Sequence, residues 1–473
     1  MRSTILLLCL LAVGCGSAPT PIAVTPGATS PAPTSKVVPP PENVPDLRTR
    51  KTGSDWTAFL GPTANSVSTE KGIINPWPKD GLRVVWSKEA GKGYVVPAVS
   101  LGRLFFIDTV GNQNRLRCLK SETGEELWQF AYDTDYEDYF GYEGARVSPI
   151  VDGGRVYIFG PEGMLFCLGV TDGKVVWKVD TKAKFGVVQN FFGAGSPPVV
   201  EGDLLLVQIG GSPPKSPPIT SEMTEPNGTA LVAFDKFTGE VKYKTGDELA
   251  SYAAPRLATI DGKRWCFLFA RGGLLGLDPA DGKVAFHFPW RAKMLESVNA
   301  STPIVIGDQV FISECYQIGS TLLKIKPAGA PEVVWSDDKK GRDKSMRCHW
   351  MTPIHVDGYL YGGSGRNPPD SDLRCIELAT GKLMWKENVL SRCSLLQVDG
   401  HFICLDEQGP ITLLKINPEK YDEVARMELN VAQGDQPGLL KEPCWAAPVL
   451  AHGLLYVRGK DRLVCLELIP AAK

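Results

Sequence analysis

The sequence predicts an all-β fold, an eight-bladed β-propeller of four-stranded antiparallel blades. A unit of about fifty residues recurs along the chain. Seven of the units open with a small residue and a proline, and in five of them a Thr-Gly or Asp-Gly turn joins the last two strands and an aromatic residue follows it. The 49 glycines and 37 prolines among 473 residues also favour many turns over long helices.

The opening prolines set the register of the repeat. The gap before the last one is nearly twice the others, and residues 394–400 fill it with one more unit, which makes eight. Asp-Gly and similar pairs between the strands supply the positive φ angles that tight hairpins need. The opening prolines are Pro97, Pro149, Pro197, Pro255, Pro303, Pro353 and Pro448.

The last unit ends near Leu468 without its fourth strand, whereas residues 83–86 have the pattern of a fourth strand with no first three before it. We expect this N-terminal strand to complete the last blade, because a closed ring leaves no free strand edge. The residues that close the other units are expected to dock between blades, and the seventh unit has Val424 and Ala425 instead. The docking residues are Trp128, Trp177, Tyr243, Phe286, Trp335 and Trp385.

The N-terminus predicts an exported chain. An apolar stretch over residues 5–13 is too short to span a bilayer and is typical of a signal peptide, residues 1–14. Residues 11–15 resemble a bacterial lipobox, although Ala12 stands where that pattern prefers leucine, and the resemblance implies a lipid on Cys15. Gly16, by resemblance to Gram-negative lipoproteins, implies the outer membrane, facing the periplasm.

The predicted domains are therefore the signal peptide, a lipidated cysteine with a Pro/Ser/Thr-rich tether over residues 15–50, and a propeller over residues 51–473. A lipid anchor places the protein at a membrane without a transmembrane helix. The formal net charge of −2 provides no broad basic surface, so nucleic acid is not an expected partner. We expect a monomer.

The repeat resembles a known family. The unit with residues 154–157, 167–168 and 172–177 is similar to the PQQ-like (pyrrolo-quinoline quinone) repeat of quinoprotein alcohol dehydrogenases and of the lipoprotein subunit of the outer-membrane protein assembly machinery. Residues 55–470 also resemble uncharacterised PQQ-like propeller proteins of planctomycetes, which residues 59–62 and 453–458 match. This resemblance implies the fold and says little about function.

Ten cysteines remain after the signal peptide and Cys15 are set aside. Four of them occupy one shared place in different units, too far apart for a bridge that needs Cα atoms within about 7 Å. We interpret these four, Cys118, Cys167, Cys375 and Cys465, as small buried hydrophobes. Whether Cys315, Cys348, Cys393 and Cys444 form disulfides stays open.

No catalytic residue, metal site or cofactor is predicted. A quinoprotein dehydrogenase, by resemblance, needs a disulfide between adjacent cysteines, an Asp base and a Ca²⁺ held by Glu, Asn and Asp. The sequence has neither a Cys-Cys pair nor a Cys-x-x-Cys-His haem motif. It also lacks His-Glu-x-x-His, a phosphate loop and Gly-x-Ser-x-Gly, and its five histidines have no metal-ligand spacing.

Loop length predicts where a site would be. The long segments all join blade to blade or second strand to third, and both kinds of connection emerge on one face of a four-stranded meander. These segments are residues 131–146, 210–228, 289–300, 337–350, 362–372 and 428–445.

The residue three places before each opening proline is Tyr94, Arg146, Ala194, Tyr252, Ala300, Trp350 or Trp445. Aromatic residues and arginine are typical binding anchors, although they also plug the ends of channels, and both interpretations stay open. Glu296 and Tyr316 are nearby polar candidates. The predicted ligand-binding residues are Tyr94, Arg146, Tyr252, Arg291, Asn299, Glu314, His349, Trp350, Arg366 and Trp445.

The leading hypothesis is a non-catalytic binding or scaffold propeller lipoprotein of the cell envelope, which binds a protein or other envelope ligand on its loop-rich face. One alternative is a PQQ- and Ca²⁺-dependent quinoprotein alcohol dehydrogenase. Another is a glycan-binding propeller, suggested by an aromatic cluster of Tyr132, Tyr136, Tyr139, Phe140 and Tyr142.

Overall fold

The computed structural model describes residues 43–471 except 143, 189, 218–222, 389, 391 and 433–437. The predicted signal peptide, the lipidation site Cys15 and most of the tether lie outside the described residues. In this part of the chain the strands form eight four-stranded antiparallel sheets, which confirms the predicted eight-bladed propeller. No helix among the residues described is both long enough and apolar enough to cross a membrane.

The first four blades follow one another along the chain, each in the order of its strands. One short helix, α1 (Thr181–Phe185), follows the second blade. The strands are β2 (Ala98–Ser100), β3 (Arg103–Val110), β4 (Gln113–Lys120) and β5 (Glu126–Asp133); β6 (Ile150–Asp152), β7 (Arg155–Phe159), β8 (Met164–Gly169) and β9 (Val175–Asp180); β10 (Val199–Glu201), β11 (Leu204–Gln208), β12 (Leu231–Asp235) and β13 (Val241–Thr245); and β14 (Arg256–Ile260), β15 (Lys263–Phe269), β16 (Gly273–Leu277) and β17 (Val284–Pro289).

The last four blades continue the series, and the eighth takes its fourth strand, β1 (Val84–Glu89), from the other end of the domain. The strands are β18 (Ile304–Ile306), β19 (Gln309–Glu314), β20 (Gly319–Lys324) and β21 (Glu332–Ser336); β22 (Ile354–Val356), β23 (Tyr359–Ser364), β24 (Asp372–Glu377) and β25 (Leu383–Glu387); β26 (Cys393–Val398), β27 (His401–Asp406), β28 (Ile411–Lys415) and β29 (Glu423–Met427); and β30 (Val449–Ala451), β31 (Leu454–Arg458) and β32 (Arg462–Glu467).

Closure of the ring by the N-terminal strand is confirmed. β1 runs antiparallel to β32, with Trp86 opposite Cys465 and Glu89 opposite Arg462. The first strands of neighbouring blades, such as β2 and β6, contact each other and therefore lie innermost. The second and third strands are almost wholly buried, so the core lies between the blades, where each sheet packs on the next.

The closing tryptophans dock between blades, as predicted. Trp128 Nε1 donates a hydrogen bond to the carbonyl of Val170 in the next blade (3.1 Å). The same bond joins Trp177 to Lys236 (3.1 Å), and the others of this kind are Trp335 to Leu378 (2.8 Å) and Trp385 to Asn417 (2.9 Å). Each acceptor lies in the turn between the third and fourth strands of the next blade, so each of these hydrogen bonds joins one blade to the next.

The seventh blade departs from this pattern for a geometric reason. Ala425 lies opposite Leu413, the place that Trp385 takes opposite Cys375 in the sixth blade. The eighth blade has no turn between its third and fourth strands, because its fourth strand comes from the N-terminus. A tryptophan at residue 425 would therefore find no turn carbonyl to accept its hydrogen bond.

The four cysteines that share one place in the repeat are buried and lie opposite the docking tryptophans on the neighbouring strand. Cys118 pairs with Trp128 and Cys167 with Trp177. All ten cysteines of the described residues are free thiols and buried, including the four for which disulfides stayed open. Small, apolar side chains at this place leave room for the indole ring.

The chain reaches the propeller earlier than the predicted boundary at residue 51. Arg103 Nη1 donates to the carbonyl of Pro45 (2.7 Å), and the amide of Leu47 donates to the carbonyl of Leu101 (3.1 Å). Arg50 Nη1 donates to the carbonyl of Ile469 in the eighth blade (2.8 Å). Residues 45–50 thus pack along the first and eighth blades.

Candidate functional site

The loops are distributed as the sequence predicts. Every turn between first and second strands has two residues, and the turns between third and fourth strands have five to seven. The long connections, such as residues 134–149 and 428–448, join blade to blade or second strand to third. Because these connections emerge at one end of the meander, the propeller has a loop-rich face and an opposite, short-turn face.

A segment of residues 56–68, here called the base segment, crosses the centre of the ring and contacts inner strands of separate blades. Trp56 and Val99 exchange two backbone hydrogen bonds (2.9 and 2.7 Å), and the amide of Val151 donates to Thr57 (2.8 Å). On the far side of the ring, backbone hydrogen bonds from the amides of Ser68 and Gln397 join the base segment to the inner strand of the seventh blade. In each of these three blades the contact falls two residues beyond the opening place, so the base segment closes the channel there.

Above the base segment lies a cavity of about 370 Å³ that opens toward the loop-rich face. Phe59, Leu60 and Ser66 of the base segment line it. Val96 and Tyr94 line it one and three residues before the opening proline of the first blade. The cavity is therefore blind, and a ligand has to enter from the loops.

The structure brings seven of the ten predicted ligand-binding residues together around this cavity and leaves three outside its lining. Arg291, Asn299 and Glu314 are the three that do not line it. The seven that do are Tyr94, Arg146, Tyr252, His349, Trp350, Arg366 and Trp445.

The three residues outside the lining form hydrogen bonds with other groups of the protein. Asn299 is fully buried, and its Nδ2 donates to the carbonyls of Ala270 (2.7 Å) and Trp290 (3.1 Å). Arg291 Nη2 donates to the carbonyl of Leu295 (3.3 Å). Polar side chains in long loops satisfy buried backbone groups in this way.

Glu314 is also buried, with 1% of its surface exposed. It accepts hydrogen bonds from the hydroxyl of Ser297 (2.7 Å) and the amide of Ile318 (3.4 Å). Burial is the main cause that raises the pKa of Glu314 to about 7, because removing water disfavours the charged carboxylate.

Aromatic rings meet around Trp445 on one side of the cavity. The ring centroid of Trp445 lies 4.7 Å from that of Tyr94, 5.1 Å from Tyr142 and 5.3 Å from Trp350. The indole Nε1 of Trp445 donates to Glu407 (2.8 Å), which fixes the ring. Such a rigid set of aromatic faces is suited to a flat or apolar ligand.

Three arginines lie over aromatic rings of the lining. The guanidinium of Arg146 is 5.0 Å from the centroid of Tyr94, and that of Arg392 is 4.6 Å from Trp350. Arg366 lies 4.6 Å above Tyr316. Cations over aromatic faces are held by the ring quadrupole while their N–H groups remain available for hydrogen bonds.

His349 contributes no positive charge. Its ring packs between Tyr316 (5.6 Å) and Trp350 (4.8 Å), and its Nε2 shares a hydrogen bond with the hydroxyl of Tyr316 (3.2 Å). Burial lowers the pKa of His349 to about 3, with Arg392 and Arg366 acting in the same direction. Among the described lining residues, the charge therefore comes from the arginines.

Arg392 is a lining residue that sequence reasoning missed. β26 ends at Val398 and pairs there with His401, which puts Leu395 at the place of the absent opening proline. Arg392, three residues earlier, thus takes the eighth position of the ring that includes Tyr94 and Trp445. The turn at residues 398–400 carried the signal that could have located it.

Other lining residues were also missed as site residues. Phe59 and Leu60 lie in a lead-in with no repeat pattern, and Phe192 lies in a loop, whereas Phe140 and Tyr142 were named only in the aromatic cluster of the glycan alternative. Tyr316 was named only as a nearby candidate, and it lines the cavity, whereas Glu296 does not.

The aromatic cluster considered for glycans does not form one surface. Tyr132 packs on Phe166 (4.7 Å) and accepts a hydrogen bond from Asn114, while Tyr136 donates to Asp138 (2.9 Å). The remaining three are exposed at the edge of the loop-rich face and are here called the rim: Tyr139 (50% exposed), Phe140 (52%) and Tyr142 (43%).

The residues present do not fit a Ca²⁺ ion. Ca²⁺ takes six to eight oxygen ligands, mostly carboxylates and carbonyls, yet the described residues of the lining include three arginines and neither Asp nor Glu. Within the described ranges, no group of three or more His, Cys, Asp or Glu is placed to hold a metal ion.

Solved structures support the fold. BamB from Moraxella catarrhalis matches with a TM-score of 0.53 at 12% identity, covering 82% of this chain and 97% of that one. A quinohemoprotein alcohol dehydrogenase from Comamonas testosteroni matches with a TM-score of 0.51 at 13% identity, covering 91% and 83%. At these identities the likeness concerns the fold alone.

The family model described as outer membrane protein assembly factor BamB matches residues 112–387, more than half of the chain. No functionally curated protein matches the sequence. The match covers the second to sixth blades and part of the first. The chain therefore belongs to the PQQ-repeat propeller family of the outer membrane protein assembly factor BamB.

Proposed function

We propose that this chain is a non-catalytic binding propeller of the cell envelope, lipid-anchored at Cys15 in the outer membrane and facing the periplasm. It holds a protein or other envelope ligand at its loop-rich face. The observation that carries the proposal is the blind cavity, in which the ring positions of separate blades converge above the base segment. Family membership agrees with an envelope role.

The exposed rim supports engagement of a macromolecular partner. Tyr139, Phe140 and Tyr142 present large apolar surfaces to solvent next to the cavity, and Tyr142 also lines it. Contiguous exposed apolar surface on a soluble domain is typical of an interaction site. The polar and charged groups needed at such an interface lie beside it in Arg146 and Arg392.

The lining favours binding over catalysis. Among the residues that the structure describes, it offers neither a carboxylate nor a cysteine, and burial keeps its one histidine neutral with a pKa of about 3. General acid–base catalysis near neutral pH is most efficient with a group whose pKa lies close to the working pH. We therefore propose that the protein acts without PQQ and Ca²⁺.

Co-purification of partners with the tagged lipoprotein tests the proposal. The triple variant Tyr139→Ser, Phe140→Ser and Tyr142→Ser removes the rim, and Phe237→Ser removes an exposed aromatic residue on the short-turn face as the matched control. Thermal melts confirm that both variants fold. The rim variant is expected to lose partners that the wild type and the control retain. Equal recovery from all three would overturn the proposal.

A further inference from the structure

The cavity is chemically asymmetric from base to mouth. Its base is mainly apolar: Phe59 and Leu60 of the base segment lie there with the single hydroxyl of Ser66, and Val96, Leu395 and Ala447 line it at the openings of three blades. Toward the loops, the lining changes to arginine and aromatic side chains. A ligand that fills the cavity has to match an apolar end and a cationic mouth.

Two of the three arginines already have carboxylate partners, which lie behind the lining. Arg146 Nη2 is 3.1 Å from Asp138, and Arg392 Nη2 is 2.6 Å from Glu407. Both carboxylates are largely buried, with side-chain exposures of 0% and 10%. These pairs hold the guanidinium groups in place over the rings that they cover.

Arg366 differs from the other two. It is half-buried, lines the cavity and lies over Tyr316, and among the described residues its guanidinium has neither a hydrogen-bond nor an ion-pair partner. A guanidinium offers five N–H donors in a planar fork that matches the oxygens of a carboxylate or phosphate. Partial removal from water strengthens such charge-assisted bonds.

We propose that the cavity binds a single-chain anionic amphiphile. Its apolar body lies on the base segment, and its oxyanion head, a carboxylate or a phosphate, pairs with Arg366. A blind base allows entry only from the loops, so the apolar end enters first and the head remains at the mouth. This inference rests on the proposed function, since it specifies the ligand class of the same site.

Titration calorimetry of the full mature chain in phospholipid nanodiscs, corrected with empty nanodiscs, tests the inference. The probes are octanoate, octyl phosphate and octyltrimethylammonium. Both anions are expected to bind saturably at one site, and the cation is not expected to bind. The tighter of the two anions identifies the head group as a free carboxylate or a phosphate.

Arg366→Gln is expected to weaken binding of the anions at least tenfold. Arg342→Gln, at an exposed arginine of a neighbouring loop outside the lining, is the matched control and is expected to stay within twofold of the wild type. Ala447→Phe fills the base and is expected to abolish binding while Arg366 remains. Equal affinity of Arg366→Gln and wild type, or saturable binding of the cation, would overturn the inference.

The two proposals fail in distinguishable ways. If no anion binds while the rim variant still loses its co-purified partners, the ligand class is wrong and the proposed function stands. If no anion binds and the rim variant retains every partner, both are wrong.

Discussion

The indole Nε1 of Trp86 donates a hydrogen bond to the carbonyl of Ser121, 2.9 Å away. This bond joins the strand that completes the last blade to a turn of the first blade. The ring of Trp86 also packs on Gly124, where an added Cβ would approach within 2.8 Å. Trp86 thus stabilises the contact between the last and first blades that closes the ring.

Trp86→Ala is expected to lower the free energy of unfolding by about 3–5 kcal/mol, the usual cost of removing a buried aromatic side chain. Val84→Ala changes an exposed side chain of the same strand and is expected to cost less than about 1 kcal/mol. Urea denaturation measures both. Equal losses would contradict a special role for Trp86 in closure.

Gly173→Ala tests the contact between blades. At Gly173 φ is +67° and a Cβ would lie 2.5 Å from the ring of Trp128, whereas at Gly153 φ is +56° and nothing lies within 4 Å. Both alanine variants carry the backbone strain of a left-handed residue, and only Gly173→Ala adds overpacking, which costs about 1–3 kcal/mol. Thermal melts should therefore rank Gly173→Ala clearly below Gly153→Ala. Equal melting temperatures for the two variants would show that the turn glycines serve backbone conformation alone.

The blades and most of the ring could be predicted because their signals repeat. An opening proline and a turn of fixed type recur in register, so Tyr94, Trp350 and Trp445 could be aligned with one another by their spacing from the prolines alone. Arg392 escaped because its blade lacks the proline, although the turn after Val398 preserved the register. These positions could be aligned because the same sequence pattern recurs at a regular spacing.

The base segment could not be predicted, because it occurs once and has no counterpart to align. Its role follows from backbone contacts with distant strands, such as that between Ser68 and Gln397. Asn299 and Glu314 were predicted as site residues, yet they lie outside the lining of the cavity. Asn299 lies in a long connection and Glu314 ends β19, but both bond to other parts of the protein: Asn299 Nδ2 donates to the carbonyl of Ala270, and Glu314 accepts from the hydroxyl of Ser297.

Glu314→Gln is expected to flatten the pH dependence of stability. Because burial raises the folded-state pKa of Glu314 to about 7, above its usual value of 4.5, this group favours folding below pH 4.5 and loses that contribution as pH rises through 7. A shift of this size corresponds to about 3 kcal/mol. Denaturation at pH 5 and pH 8 should show wild type losing more stability than Glu314→Gln. Parallel losses would contradict a buried, neutral carboxyl.

Addition of PQQ and Ca²⁺ tests the enzymatic alternative. Because the described part of the lining contains no carboxylate and the chain has no adjacent cysteine pair, we expect no alcohol-dependent dye reduction. We also expect Ca²⁺ to leave any quenching of tryptophan fluorescence by PQQ unchanged. Turnover of alcohol with both additions would replace the binding function with a dehydrogenase.

Photo-crosslinking in cells tests most directly that ligands engage the loop-rich face. A benzoylphenylalanine replaces Phe140 of the rim in one variant and Phe237 of the short-turn face in the other, both of them exposed aromatic positions. The predicted result is a set of specific adducts from residue 140 that is absent from residue 237. Adducts from residue 237 alone would contradict the account and move the binding surface to the opposite face.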